Sequence, residues 1–272
     1  MRITAVVIAL LLAGEATPTG ALKKLGEKKT YAYSIETKVE GDSLGNAAKA
    51  MQTAVSGAWE KPDTFVVKVG KAGAEAVHKG GKSVLTLDGK EWTTFDEAEK
   101  AAQGKPNAAL AMLASVEAPH VEWAEALGRV AGLAKQKEME ENCIVFLGVL
   151  TKEAAKEIAS ELAEGPAAKG DGGRGTGSRG GVGKFSRPGN YGRGGGGNGQ
   201  VTIKESTGSV KLLVSKDEEL PRAIVYTVKA TVSVQQGGKP VESEVTITRT
   251  IKFEDIDKAK VEIADAAKKK LP

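Results

Sequence analysis

Residues 222–253 read RAIVYTVKATVSVQQGGKPVESEVTITRTIKF. In the first half Ile224, Tyr226, Val228, Ala230, Val232 and Val234 take every second position. In the second half Val245, Ile247, Ile251 and Phe253 alternate with Thr246, Thr248, Thr250 and Lys252. A period of two is that of a strand with one apolar and one wet face. Gln236-Gly237-Gly238-Lys239-Pro240 supplies the turn between the halves. Strands this long with one apolar face predict a curved antiparallel sheet, and helices elsewhere in the chain must cover that face.

Working outward, Ser209 to Ser215 reads as a preceding strand, ended by a turn at Asp217-Glu218-Glu219. Near the start, Tyr31, Tyr33, Ile35, Thr37 and Val39 alternate with Ala32, Ser34, Glu36 and Lys38. A second strand surrounds Ala58-Trp59-Glu60, turns at Lys61-Pro62-Asp63 and resumes as Thr64 to Val69, with Phe65, Val67 and Val69 on one face. Glu75 to Lys79 and Ser83 to Leu87 flank Gly80-Gly81, and Asp88-Gly89 predicts a hairpin into a strand from Lys90 to Phe95. Helices are expected from Asn107, as cap, to Val116, and from Val121 to Leu133, separated by Pro119. Cys143 to Leu150 is an apolar run of strand length, after which Thr151 caps a helix through Ala163. A short helix from Asp265 to Leu271 closes the chain. The expected class is therefore α+β.

Residues 169–200 read KGDGGRGTGSRGGVGKFSRPGNYGRGGGGNGQ. With Val182, Phe185 and Tyr191 as its apolar residues, this tract cannot bury enough surface to offset the entropy of ordering, and disorder is expected. Its six basic residues against Asp171 account for the whole excess of the chain's +4 formal charge. Three Arg-Gly pairs with interleaved aromatics resemble single-strand-binding segments. Gly175-Thr176-Gly177-Ser178-Arg179-Gly180 fits a dinucleotide fingerprint in letters, but lacks the strand before it and the helix after it.

Met1 and Arg2, an apolar run from Ile3 to Ala13, and small residues at Gly14-Glu15-Ala16 and Thr19-Gly20-Ala21 have the order of a secretory leader. The run is shorter than the about 20 residues that span a bilayer. The expected organisation is a leader over 1–21, a first half of the domain over 22–168, the glycine tract over 169–200 and a second half over 201–272. The product would be periplasmic or secreted, monomeric and soluble. With an extracytoplasmic location, no nucleic-acid partner is expected.

Cys143 is the one cysteine, so no internal disulfide forms, and it reads as a small buried hydrophobe. His78 and His120 lack the short spacing of zinc ligands. No nucleophile elbow, phosphate loop or paired acid and base is present, so no catalytic residue, metal or cofactor is expected.

The order of elements resembles the LolA-type periplasmic lipoprotein-carrier superfamily, whose relatives include lipid-binding lipoproteins of mycobacteria. The likeness lies in the strand meander, the helix pair, the apolar strand running into Leu150-Thr151-Lys152-Glu153-Ala154-Ala155, the charged turn into Leu220-Pro221-Arg222, and the two long strands ending at Phe253-Glu254-Asp255-Ile256. It implies an unclosed half-barrel wrapped around helices, with an apolar cavity for acyl chains. Candidate cavity residues are Tyr33, Ile35, Phe65, Val67, Tyr226, Val228, Ile247 and Ile251, which equally describe a dry core. The expected function is non-enzymatic binding or carriage of a lipid, acyl chain or lipidated protein. The alternative is an envelope interaction protein whose basic glycine tract contacts anionic surfaces or polymers.

Overall fold

A computed structural model describes residues 16–41, 53–70, 73–102, 107–163, 201–236 and 239–271. Residues 1–15 of the expected leader and the whole glycine tract over 169–200 lie outside the described residues.

The protein is α+β, built on one unclosed antiparallel sheet of eleven strands. The first six are β1 (Thr30–Glu40), β2 (Thr53–Glu60), β3 (Thr64–Val69), β4 (Ala74–Lys79), β5 (Lys82–Thr86) and β6 (Thr93–Thr94). The other five are β7 (Val130–Glu140), β8 (Cys143–Leu150), β9 (Val201–Ser215), β10 (Pro221–Gln236) and β11 (Lys239–Glu254). Their order across the sheet is β6-β5-β4-β3-β2-β1-β11-β10-β9-β8-β7. Each half is a meander, and the two join where β1 pairs with β11, from Ala32 opposite Glu254 to Glu40 opposite Thr246.

That order puts β6 and β7, neighbours in the chain, at opposite edges. The segment between them must therefore cross a face of the sheet. It does so as three short helices, α1 being Pro18–Glu27: α2 (Phe95–Ala102), α3 (Ala108–Ser115) and α4 (Pro119–Gly128). Leu110, Leu113, Trp123 and Ala126 of this crossover are buried in the main core. Helix α5 (Lys152–Ala163) packs on β9 and β10 of the same core. Among the described residues the opposite face is covered at one end. There Val66, Val77, Val84 and Trp92 pack beneath the C-terminal tail, where α6 (Asp265–Lys270) buries Ala267.

Local chemistry explains where the helices start. Asn107 Oδ1 accepts from the Leu110 amide at 3.0 Å, and Thr151 Oγ1 from the Ala154 amide at 3.2 Å, both caps being legible in the sequence. Two expectations need correction. The strand expected from Lys90 to Phe95 shrinks to Thr93–Thr94, and Phe95 opens α2. The cause is a capping box: Thr94 Oγ1 accepts from the Glu97 amide at 3.2 Å while Glu97 Oε2 accepts from the Thr94 amide at 3.0 Å. The expected hairpin does form, with Val84 opposite Thr94 and Leu85 opposite Thr93, and in its connection Asp88 Oδ1 accepts from the Lys90 and Glu91 amides. The helix expected to reach Leu133 ends at Gly128, because Val130 begins β7 and pairs with Leu150. Tertiary pairing there overrides the helical stripe. Helix α1 also begins within the stretch read as leader: Thr17 Oγ1 caps it, and Ala16, Pro18, Ala21 and Leu25 are buried.

Aromatic stacking knits the centre of the sheet. Tyr31 stacks on Trp59 with centroids 5.2 Å apart and Tyr33 on Phe65 at 5.4 Å. The Tyr33 hydroxyl donates to the Val66 carbonyl at 2.8 Å, passing over Gly57 on the intervening strand. A Cβ at position 57 would fall on both the Tyr33 ring and the Val66 carbonyl oxygen. Gly57→Ala is therefore expected to cost about 2–3 kcal/mol, from overpacking and a lost buried hydrogen bond. Tyr33→Phe should cost about 1 kcal/mol alone and little more in the Gly57→Ala background. Urea unfolding of the three variants checks this.

Candidate functional site

The structure brings the eight candidate cavity residues onto the helix-covered face. Ile35 stands opposite Ile251, and Val228 opposite Ile247. Tyr33 stacks on Phe65, with Val67 two positions further along β3, and Tyr226 lies on β10 beside β11. None of the eight exposes more than 4% of its surface, so in this structure they are packed core beneath the helices. A depression of about 320 Å³ is bordered by Ser34, Glu36, Ser56, Thr250 and Lys252 and, of the eight candidates, by Ile35.

An arginine is set into the apolar pattern of the covered face. Along β11 the inward positions run Val245, Ile247, Arg249, Ile251 and Phe253. Arg249 stands opposite Thr37 on β1 and Tyr226 on β10. One neighbouring row is Ile35, Ile251 and Ile224, and the other is Val39, Ile247 and Val228. A guanidinium between two aliphatic rows requires a partner, because an unpaired buried charge is strongly unfavourable. The partner comes from the crossover: Arg249 Nη2 pairs with Glu122 Oε1 in the first turn of α4. The side chains of Arg249 and Glu122 are only 22% and 11% exposed.

Tyr226 adds a second link between sheet and helix. Its hydroxyl donates to the Glu122 carbonyl at 3.4 Å. Burial, then the Glu122 charge, pushes the Tyr226 phenol well above its usual range, so it stays a neutral donor. Arg129, just after α4, also interacts with Tyr226 and pairs with Glu125 at 3.0 Å. Two buried polar atoms of the cluster have no hydrogen-bond partner among the described residues: Arg249 Nε and Thr37 Oγ1.

In the sequence, Ile247 and Ile251 bracket Thr248-Arg249-Thr250, and apolar alternation alone does not single out Arg249. The signal was present as an arginine at an inward position of a clean period-two strand. Its partner could not be found that way, since Glu122 and Arg249 are 127 residues apart.

The other reactive side chains are held in separate structural roles. His78 Nδ1 lies 2.6 Å from Ser83 Oγ, and its ring stacks between Phe65 and Phe95. His120 Nδ1 lies 2.7 Å from the Tyr31 hydroxyl. Burial lowers both imidazoles, that of His78 to about 4. Burial pushes the Cys143 thiol up, which lowers its thiolate fraction. Among the described residues no group of three His, Cys, Asp or Glu side chains could hold a metal ion, and no helix is long and apolar enough to cross a membrane. No protein-family model matches the chain, and no curated protein matches it.

The ion pair generates a clear expectation. Removing one partner strands the other, so Glu122→Leu and Arg249→Met should each cost about 3–5 kcal/mol. The double variant should recover most of that loss, because well-packed apolar side chains replace a buried pair at little cost. Denaturant unfolding in a double-mutant cycle measures both.

His78 gives a pH dependence. Its folded pKa lies below the unfolded value, so its contribution is complete above about 6.5 and is lost as pH falls towards about 4. The full loss is on the order of 3 kcal/mol. His78→Gln should flatten the fall in midpoint between pH 7 and 4, with His120 leaving a residual slope of the same sign.

Proposed function

We propose that the protein is a non-enzymatic binding or carrier protein for a lipid or acyl chain, exported from the cytoplasm, with the sheet acting as an unclosed half-barrel around its helices. The observation that carries this reading is the make-up of the cover over the apolar face. Helix α3, AALAMLAS, has no charged residue on any side, which is unusual for a helix that meets solvent. It and α4 are 8 and 10 residues long, and α4 is fastened to the sheet by an ion pair set into the apolar face. Short helices of this kind derive their stability from packing, so the cover can leave the sheet and offer its own apolar side chains to a ligand. The form described above, with the helices seated in the core against the sheet, is the closed one. A chain of twelve buried methylenes would contribute on the order of 10 kcal/mol against the cost of moving the cover.

The leader belongs to the same proposal, and the fold favours one of its two cut sites. Cutting after Ala21 would remove Pro18, whose carbonyl accepts the fully buried Trp123 indole N–H at 3.0 Å. It would also remove the Thr17 cap of α1. Cutting after Ala16 keeps both. Native mass spectrometry of the exported, purified protein should therefore show an N-terminus at Thr17 and adducts of lipid mass. A ligand-free mass, together with no binding of a fluorescent fatty-acid probe, would overturn the lipid reading.

A further inference from the structure

The geometry points to Arg249 as the seat of a carboxylate on the bound amphiphile, which takes over from Glu122 when the helical cover lifts. This rests on the lipid-binding reading above. The guanidinium offers a side-on fork, Nε and Nη2, matched to the two oxygens of a carboxylate. In the closed form that fork is half filled. Glu122 Oε1 sits on Nη2, while Nε is buried without a partner among the described residues. Directly opposite on β1, Thr37 is 1% exposed, and its hydroxyl is likewise unpartnered. Side chains directly opposite on antiparallel strands lie within about 5 Å at Cβ, so both orphaned groups border one spot. Pure packing would be served better by an aliphatic residue at each position, as in the rows on either side.

The cover supplies the group now on that seat, and it is itself a carboxylate. Lifting α4 withdraws Glu122 and leaves Arg249 charged in an apolar face, which is strongly unfavourable unless another anion arrives. A neutral lipid cannot replace Glu122. A fatty acid can, filling Nε as well as Nη2 and accepting from Thr37, with its alkyl chain along Ile247, Val228 and Val245. Exchange of one carboxylate for another keeps the buried charge paired throughout, and the site thereby selects acidic single-chain amphiphiles over neutral ones of equal length.

Displacement of the uncharged probe N-phenyl-1-naphthylamine from the full chain tests this. Tetradecanoic acid should displace it at least tenfold better than tetradecanol. Arg249→Gln should bring the acid to within about twofold of the alcohol, and Thr37→Val should weaken the acid several-fold. Glu122→Gln, which removes the resident carboxylate, should strengthen acid binding, and it serves as the second test should Arg249→Gln fail to fold. Equal displacement by acid and alcohol in the parent protein overturns the carboxylate seat and leaves lipid binding standing. Acid affinity unchanged or weakened in Glu122→Gln also overturns it. Failure of probe, acid and alcohol alike to bind overturns both readings.

Discussion

The ladder between β1 and β11 is the constraint on which the rest of this structure depends. It pairs residues about two hundred positions apart and fuses two local meanders into one sheet. Because it joins the first strand to the last, the strands from the middle of the chain are pushed to the outer edges. β6 and β7 then lie ten strand spacings apart, about 48 Å along a flat sheet. The chain between them has to traverse a face, and α2, α3 and α4 are that traverse. The helices lie over the apolar residues of β1, β10 and β11 as a topological consequence, with the hydrophobic effect deciding which face they choose. Such long-range closure carries a loop entropy cost and predisposes the fold to form late, after the local hairpins.

Within that frame the Arg249–Glu122 pair has to be explained by something other than stability. Buried ion pairs gain little over apolar residues of the same shape, while the desolvation of both partners is expensive. What the pair does provide is position. It fixes α4 in one place along β11, since a shift by one turn would leave two unpaired charges in the core. Trp123, one residue on, supports the same placement through its contact with Phe253 and its bond to Pro18. The cover is thus located by these polar contacts together with the packing of Leu110, Leu113, Trp123 and Ala126 into the main core.

Much of this was legible in the sequence, for identifiable reasons. Period-two alternation marked β1, β10 and β11 because each has one buried and one wet face. Asn107 and Thr151 marked two helix starts because a cap is a local bond. The capping box at Thr94 and Glu97 was equally local and was read instead as part of a strand, since Asp88-Gly89 offers a strong hairpin signal. β7 was lost in a helical stripe: Val130 and Leu133 fit either period, and only pairing with β8 decides between them. Helix α1 was hidden beneath a leader signal of overlapping composition. The site was the least legible element. Arginine in a strand reads as a surface residue until register shows it facing Thr37 and Tyr226, and register is a property of the whole sheet.

The two faces of the sheet differ in a way that locates any movement. At β3, β4 and β5 both faces are dry: Phe65 and Val67 pack beneath the helices, while Val66, Val77 and Val84 pack under the C-terminal tail. His78, stacked between Phe65 and Phe95, ties the start of the crossover to this doubly packed end. At β1, β10 and β11 the alternate positions carry Glu36, Lys38, Thr231 and Lys252, so among the described residues one face is packed. The crossover is therefore anchored on a rigid base at α2 and rests on a single-layered region at α4. A hinge between them would swing α4 away from Arg249 while leaving the β3–β5 core undisturbed. The far end of the span is held as well, because α4 runs directly into β7, where Val130 pairs with Leu150, so Glu122 lies within a span fixed at both ends.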